Sequence, residues 1–428
     1  MTAYLVNGND LVSIADIIRD KVGTSEPLVF PEDFISALDS IKNGDDIENK
    51  FITRTLSGEY INSKASVVGP YAFAYCESLT SVSFQNCTEI KSNAFTSCSS
   101  LTAATFPQCS SIGGYAFYFC TRLSEINIPS CTVIRESAFN RCSSLFMANF
   151  PVCTTIASSA FYNCVNLTSI SFPLCSSMGG GVFINTSIRE VNFPLLTTVP
   201  QNAFYLCSKL ISANFPVCSE IKGAAFSYCK SLTSIHAPLC EKIESSAFAD
   251  CTALETIDFP RCSYISGRAY DNCQKLTNVN LPLCKALGSS AFQSCTSLKE
   301  ISLTSCQTLF NSAFRGCTML SNISLPICSL IGSYAFQNCT ALETLTFSLC
   351  SRISIYAFSG CINLLSMYLT NSIVPTLQNS NAFTNTPFFV SKDGIYGSIY
   401  VPASLFSNFQ NAANWSYFKD RFASIQED

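Results

Sequence analysis

Cysteine is the residue type whose chemistry stands out in this sequence. The 428-residue chain carries 25 cysteines, and most follow one another at intervals of eleven residues, as Cys317, Cys328, Cys339 and Cys350 do. Cysteines at this density serve a metal site, a disulfide framework, a catalytic thiol or a buried structural ladder. The spacing of the thiols and the residues around them separate these four uses.

The spacing argues against a metal site and a catalytic thiol. The cysteines form two columns, in which each cysteine follows the last at a regular interval; the first column runs from Cys76 to Cys361 and the second from Cys87 to Cys350. Zinc sites use pairs of ligands two to four residues apart, and no two cysteines are that close. A catalytic cysteine works with a histidine base, and the chain has a single histidine, His236.

Disulfide bonds are the stronger alternative. Cysteines that follow one another in a column would stack about 4.8 Å apart if the repeats form adjacent strands, which is within the range that a disulfide spans. Both columns break near Phe183, where Leu196 takes the second cysteine position and Thr186 stands close to the first. Each column has five members before the break, and the total of 25 is odd. We therefore predict a ladder of buried thiols, with some disulfides as the alternative.

The cysteines belong to a repeat that covers most of the chain. The unit reads A-F-x-x-C-x-x-L-x-x-[IV]-x-[FL]-P-x-C-x-x-[IV]. Its period of about 22 residues is in the range of solenoid repeats, and one shorter step separates Phe183 from Phe204. A looser copy follows at Phe383. The aromatic residue of the AF pair stands at Phe73, Phe95, Phe117, Phe139, Phe161, Phe183, Phe204, Phe226, Phe248, Tyr270, Phe292, Phe314, Phe336 and Phe358.

One part of each unit has the pattern of a short strand. In the segment LTSVSFQNC, Val82 and Phe84 are two residues apart and would point into a core, while Ser81 and Ser83 would point outward. Proline follows the strand in ten units, for example at Pro107. Because proline lacks an N–H, it would end the hydrogen-bonded ladder there.

The AFxxC part of the unit predicts one helical turn on the opposite side. Ala94, Phe95, Cys98 and Leu101 follow one another at steps of one, three and three. A single unit cannot bury its apolar face, whereas stacked units can. The sequence therefore predicts an α/β repeat solenoid of about 14 coils over residues 56–383, with a ribbon of parallel strands along one side.

These motifs resemble the BspA-like leucine-rich repeats of bacterial surface proteins. The segment SLIGSYAFQNCTALETLTF carries the typical features, and the resemblance covers residues 56–383. It implies a right-handed leucine-rich-repeat array used for adhesion or protein binding, without catalytic residues, metal or cofactor. Surface adhesins of this kind usually carry an export signal and often a wall anchor, and neither is seen here.

The tail of the chain resembles the cap that follows such arrays. It covers residues 384–428 and includes GSIYVPASLFSNFQNAANWSYFKDRF. In this cap Ile399 and Val401 would form a last strand. Leu405, Phe409 and Phe418 on a following helix would shield the end of the core.

The start of the chain is of a different kind. Residues 1–45 contain two amphipathic segments, NDLVSIADIIRDKVG and PEDFISALDSI, which predict a helical hairpin, and residues 46–55 form a charged linker leading into the array. The hairpin resembles an N-terminal segment of bacteriophage and prophage structural proteins from Gram-positive gut bacteria. That implies virion attachment or self-association, with a cap on the first coil as the alternative. Together with the missing signal peptide, it favours cytoplasmic assembly and release by lysis over direct secretion.

The outward strand positions are mostly small and polar, which makes the exceptions candidates for ligand contact. His236 is a lone histidine on a solvated face and is more often incidental than functional, and scattered apolar residues are common on surfaces. The glycines Gly179–Gly181 match no phosphate-binding pattern and indicate a turn. The candidate ligand face comprises Phe146, Met147, Ile211, His236, Asp258, Leu365 and Tyr368.

Composition excludes several classes of function. The net charge is −4, only 13% of residues are charged, and no block of lysine and arginine suggests nucleic acid. No run approaches the roughly 18 apolar residues of a membrane helix.

The prediction is a non-catalytic recognition protein that binds a protein or glycan on a cell surface through the strand face. Phage-associated host recognition is favoured, with a secreted bacterial adhesin or a rigid spacer without ligand as alternatives. Ice binding needs a flat, regular array of threonines, and Glu125 and Glu190 interrupt such an array here. An enzyme is the least favoured class.

Overall fold

The structure of the chain is a computed structural model that describes residues 54–392 and 394–425. The predicted hairpin of residues 1–45 and the linker up to residue 53 lie outside these residues. The chain forms two compact units, Met1–Phe193 and Pro194–Asp428. The division falls inside the predicted array, in the coil where both cysteine columns break.

Each coil contributes one short strand to what we call the first ribbon. In the first unit these strands are β1 (Gly58–Asn62), β3 (Leu79–Phe84), β5 (Ala103–Thr105), β7 (Glu125–Asn127), β9 (Met147–Asn149), β11 (Ser169–Ser171) and β13 (Glu190–Asn192). In the second unit they are β15 (Ser212–Asn214), β17 (Ser234–His236), β19 (Thr256–Asp258), β21 (Asn278–Asn280), β23 (Glu300–Ser302), β25 (Asn322–Ser324), β27 (Thr344–Phe347), β29 (Ser366–Leu369), β31 (Ser398–Pro402) and β32 (Phe422–Ile425). Most neighbouring strands within a unit pair in parallel, and Val82 stands opposite Ala104, one repeat further along the chain.

A second ribbon, which the sequence pattern did not predict, consists of two-residue strands that in most coils follow the second-column cysteine. In the first unit it is a six-stranded sheet of β2 (Val67–Val68), β4 (Glu89–Ile90), β6 (Ser111–Ile112), β8 (Val133–Ile134), β10 (Thr155–Ile156) and β12 (Ser177–Met178). In the second unit it is a nine-stranded sheet of β14 (Thr198–Val199), β16 (Glu220–Ile221), β18 (Lys242–Ile243), β20 (Tyr264–Ile265), β22 (Ala286–Leu287), β24 (Thr308–Leu309), β26 (Leu330–Ile331), β28 (Arg352–Ile353) and β30 (Thr376–Leu377).

The AFxxC segments form successive turns instead of the expected helical turn. The residues two before and two after the aromatic residue adopt left-handed backbone angles, as Asn93 and Ser97 do with φ of 57° each. A right-handed helix cannot pass through such residues. Their N–H groups, and that of Phe95, donate to carbonyls of the next coil at 2.9, 2.7 and 2.7 Å. The backbone of this turn edge is thus hydrogen-bonded from coil to coil.

The core contains one aromatic column that runs through the AF units, a second column that aliphatic residues such as Ile128 and Leu281 interrupt, and the leucines beside them. Phe73 and Phe95 stack with ring centroids 4.9 Å apart, and Phe84 and Phe106 with centroids 5.2 Å apart. The two columns meet edge to face, with Phe73 and Phe84 5.8 Å apart at 82°. Val82 and Phe84 are buried, as predicted for the inward strand positions.

The cysteines are buried free thiols that hydrogen-bond to the main chain. In the first column the Sγ atom donates to the carbonyl oxygen of the aromatic residue 25 positions earlier, as Cys98 does to Phe73 at 2.9 Å. In the second column the Sγ atom donates to a carbonyl two residues later, as Cys87 does to Glu89 at 3.2 Å. The predicted thiol ladder is therefore what the structure contains, and its thiols satisfy carbonyl oxygens inside the core.

The C-terminal cap closes the second unit. It contains the 3-10 helices η1 (Ser380–Phe383), η2 (Ala403–Leu405) and η3 (Trp415–Arg421) and the helix α1 (Phe406–Asn411). Ile399 and Val401 are buried in β31 as predicted, but β32 adds a further strand to the sheet. With β1, β31 and β32, the described residues contribute seventeen strands to the first ribbon, against about 14 coils expected.

The prediction that Leu405 shields the end of the core is wrong. Phe409 and Phe418 are buried, whereas Leu405 is half-exposed. Leu405 lies just before α1 with non-helical backbone angles, so it does not share a helical face with Phe409. Trp415 is buried in its place, with its ring 5.5 Å from that of Phe409, and its Nε1 donates to the carbonyl of Pro375 at 2.7 Å.

Candidate ligand-binding face

The predicted contact residues lie along the first ribbon, at strand positions that face outward or just before the strands. Phe146 and Met147 are 47% and 49% exposed, large values for apolar side chains. Ile211 and Leu365 are also exposed. The exposure of Met147 agrees with the alternation of its strand. Phe146, Ile211 and Leu365 each lie two residues before a buried strand residue, so alternation would place them inward. They are exposed because each strand begins only after them.

Phe146 and Met147 border a depression on the first unit. It has a volume of about 380 Å³, and its lining residues are Ala103, Ala104, Thr105, Ser124, Glu125, Ile126, Asn127, Phe146 and Met147. Ala104 occupies the inward position that Val82 occupies in the coil before, and Ala103 the outward position before it. The depression arises because one coil carries two small residues and the coil two further along carries two large ones.

The next coil has no large apolar side chains at the positions equivalent to Phe146 and Met147. Met147 pairs with Ser169, and the inward Ala148 pairs with Ile170. Phe146 does contribute its carbonyl oxygen to the turn, where the hydroxyl of Thr168 donates to it at 3.1 Å. This contact uses only main-chain atoms of Phe146, so its side chain is left available to a ligand.

The candidates of the second unit are spread over several coils. His236 at the end of β17 stands opposite Asn214 in the ladder, and Asp258 ends β19. Asp258 accepts a hydrogen bond of 2.6 Å from the side-chain amide of Asn280. Ile211 lies just before β15, and Leu365 lies just before β29, which is seven first-ribbon strands further along the chain. The structure therefore does not gather these residues into one site.

Tyr368 is less available than the sequence suggested. Its ring stacks on that of Tyr400, with centroids 4.4 Å apart and 8° between the planes. Tyr400 lies opposite Tyr368 in the pairing of β29 with β31. Tyr400 was not among the predicted residues, although the strand-like segment GSIYVP held the signal. The pair forms an aromatic step at the C-terminal end of the ribbon.

A group of four charged residues on the second ribbon was also missed. Lys222 and Lys242 lie 2.7 and 2.8 Å from Glu220, and Glu244 lies 3.0 Å from Lys242. Lys222 and then Lys242 hold the pKa of the Glu220 carboxyl below its usual range. The charges balance one another, so this group stabilises the stack of coils and has no excess charge to offer a ligand.

Residues 54–392 and 394–425 contain no group of three or more histidine, cysteine, aspartate or glutamate residues placed to hold a metal ion. In the same part of the chain, no helix is long and apolar enough to cross a membrane. Burial raises the pKa of most of the thiols, to about 12 for Cys317, so that these stay protonated and poorly nucleophilic at neutral pH. Cys87 is an exception, because a hydrogen bond from Cys109 lowers its pKa.

Comparisons with known proteins agree with the geometry of the coils. A search of curated proteins finds no match. A leucine-rich repeat protein from Bacteroides ovatus is 24% identical, with 68% of this chain and 79% of that one covered and a TM-score of 0.51, which shows a shared fold. A leucine rich cell surface protein from Faecalibacterium prausnitzii is 27% identical over 67% of this chain and 83% of that one, with a TM-score of 0.42.

The family follows from a match to the repeats themselves. The model described as "BspA type Leucine rich repeat region (6 copies)" matches residues 48–168, 132–251, 219–343 and 285–413. These overlapping matches extend from the start of the first ribbon into the cap. The resemblance seen in the AFxxC and strand motifs is thereby confirmed, and the chain belongs to the BspA-type leucine-rich repeat family.

Proposed function

We propose that the chain is a non-catalytic recognition protein that binds a protein or glycan on a cell surface through its first ribbon. The observation that carries the proposal is the depression beside Phe146 and Met147. Large apolar side chains that are half-exposed on an otherwise polar ribbon are typical of contact residues. Repeat solenoids offer such extended faces for binding.

The depression suits a ligand that inserts one side chain or one sugar ring. Its volume of about 380 Å³ lies at the lower end of the range of small-molecule sites. Glu125 places a carboxylate among the lining residues, and Phe146 and Met147 offer apolar surface on the other side. A ligand group that combines an apolar face with a hydrogen-bond donor or a positive charge would fit this lining.

The test compares the full chain with the variant Phe146→Thr/Met147→Ser. Thr168 and Ser169 occupy the equivalent positions one coil later, so the variant carries residues that the repeat already accepts. Binding of fluorescently labelled protein to bacterial and epithelial cells would be measured by flow cytometry. We expect the double variant to bind at least tenfold more weakly, which corresponds to about 1.4 kcal/mol.

The matched control is Tyr264→Thr, which removes an exposed apolar residue from the second ribbon, where Thr155 is an equivalent residue, and leaves the first ribbon and its depression intact. Treating the cells with protease or with periodate distinguishes a protein ligand from a glycan. Equal binding of the wild-type chain and the double variant would refute the role of the depression. If the wild-type chain binds no cells at all, a rigid spacer becomes the better description.

We further propose that residues 1–45 form an attachment module that joins the array to a virion or to a second copy of the chain. The proposal rests on the two amphipathic segments and on their resemblance to phage structural proteins. A bacterial adhesin without a phage link is the alternative. Co-purification of the chain with phage particles from an induced lysogen would distinguish the two.

A further inference from the structure

The turn edge of the first unit carries large exposed aromatic residues at positions with strained backbones. Tyr71, Tyr75, Tyr115 and Phe119, which we call the turn-edge surface, have φ of 56°, 62°, 57° and 59°. Their side chains are 53%, 57%, 39% and 39% exposed. Bulky residues rarely adopt left-handed angles, and the exposed part of each aromatic ring gains no burial that would offset the strain. Folding alone therefore does not explain these residues.

Other coils show that the fold accepts small residues at the same positions. Asn93 and Ser97 occupy them in the coil between the two aromatic pairs, and Asn163 and Asn185 do so further along. Asparagine adopts left-handed angles more readily than other non-glycine residues, because its short side chain hydrogen-bonds locally. The aromatic side chains thus occupy sites where the repeat has less strained alternatives.

The two aromatic pairs are held at a fixed distance along the stack. Tyr71 and Tyr75 belong to the coil of Phe73, and Tyr115 and Phe119 to the coil of Phe117. The core rings from Phe73 to Phe95 and from Phe95 to Phe117 are 4.9 and 5.1 Å apart. These distances match the usual spacing of paired strands, so two coils advance about 10 Å. Backbone hydrogen bonds from the first coil to the second and from the second to the third, of 2.8 and 2.7 Å, keep this spacing rigid.

The neighbours of the second pair pack against its rings. Tyr118 lies between Tyr115 and Phe119, with ring centroids 5.7 and 6.1 Å away. The guanidinium of Arg141 lies 5.9 Å from the centre of the Phe119 ring. Between the pairs, Asn93 and Ser97 carry an amide and a hydroxyl, both capable of hydrogen bonding to a polar ligand.

We propose that the turn-edge surface binds an extended β-1,4-linked polysaccharide that runs along the stacking direction of the coils. In such a chain each pyranose advances by about the height of one coil, so alternate sugars meet an aromatic pair. The apolar C–H faces of pyranose rings stack on aromatic rings, and the hydroxyl groups of the intervening sugar reach Asn93 and Ser97. A linear ligand with this repeat matches a linear row of binding positions.

This site is separate from the depression on the first ribbon, and it is tested separately. Isothermal titration calorimetry of the full chain would use cellobiose, cellohexaose and chitohexaose, with maltohexaose as the α-linked comparison. A disaccharide reaches one aromatic pair and a hexasaccharide reaches both. We expect at least one β-linked hexasaccharide to bind tenfold or more tightly than cellobiose, and maltohexaose to bind no more tightly than cellobiose.

The variant Tyr75→Ser/Phe119→Ser, which copies Ser97, should lose at least tenfold in affinity while its thermal melt stays unchanged or rises. Tyr228→Ser removes an exposed tyrosine at the same turn position of the second unit and should keep full affinity, as should Phe146→Thr/Met147→Ser. The proposal is overturned if neither β-linked hexasaccharide binds the wild-type chain, or if Tyr75→Ser/Phe119→Ser binds as the wild type does. Loss of binding in Phe146→Thr/Met147→Ser would overturn it too, since the ligand would then lie on the first ribbon.

Discussion

Tyr270 is the position where a single change should make the protein more stable. It stands in the aromatic column where the other thirteen AF units have phenylalanine. Its ring is fully buried between Phe248 and Phe292, with centroids 5.2 and 5.1 Å away and nearly parallel planes. Among the described residues its hydroxyl oxygen has no hydrogen-bond partner.

The expected gain follows from the cost of that hydroxyl. A buried polar group without a partner costs about 1–3 kcal/mol relative to its hydrated state in the unfolded chain. Burial, and then the nearby thiols of Cys262 and Cys240, raise the pKa of Tyr270 well above its ordinary value, so the hydroxyl keeps its proton. Those thiols are weakly polar and recover part of the cost. Tyr270→Phe keeps the stacked ring and should raise the free energy of unfolding by about 1–2 kcal/mol.

Urea denaturation followed by circular dichroism measures this gain as a higher midpoint. The matched control is Phe248→Tyr, which places a hydroxyl on the neighbouring ring of the same column and should lower the free energy of unfolding by about 1–3 kcal/mol. Repeat arrays can unfold in parts, so the slope of the transition must agree between the variants before midpoints are compared. A lower midpoint for Tyr270→Phe would refute the reasoning and show that the hydroxyl forms a stabilising hydrogen bond.

Four further measurements test other parts of the structure. Phe226→Ala should cost about 3–5 kcal/mol in the same urea assay as a large-to-small change in the core; a loss below about 1 kcal/mol would contradict the packing of the aromatic column. Thiol titration after denaturation without reductant should find nearly all 25 cysteines free, and fewer than half would contradict the thiol ladder. Burial raises the folded pKa of Cys131 and Cys317 to about 12. Their contribution to stability is therefore complete below the unfolded pKa of about 8.5 and is lost as the pH rises toward 12. An unchanged urea midpoint between pH 7 and about pH 10.5 would refute this linkage. Deleting residues 1–45 should leave the array soluble with an unchanged thermal melt, while aggregation would show that these residues cap the first coil.

The repeat and its core were accessible from the sequence because both follow from short-range periods. A period of about 22 residues with apolar residues two apart specifies a stacked coil and the inward direction of Val82 and Phe84. The same alternation placed Met147 outward, whereas it did not predict the exposure of Phe146, which lies two residues before the buried Ala148. The break in the cysteine columns at Leu196 and the odd number of thiols were sufficient to favour free thiols over a disulfide ladder.

The second ribbon and the details of the cap were not predictable, for a physical reason. A two-residue strand such as β4 is too short to show any alternation, and only its stacking on β2 and β6 makes it a strand. The outermost strands β1 and β32 lack an AF motif and are defined by pairing with β3 and β31. In the cap, Trp415 replaced Leu405 because the chain turns in 3-10 segments, where helical spacing does not apply.

The candidate sites needed tertiary structure most. The sequence by itself determined which residues recur, which face inward and which exposed positions hold unusual residues. Only the stacked coils decided that Ala103 and Ala104 lie beside Glu125 and form a depression, because this depends on the register between successive repeat units. The left-handed angles of Tyr75 and Phe119 were likewise set by hydrogen bonds to the next coil. The sequence sets the type of each residue, whereas a surface that several coils share forms only when the coils stack.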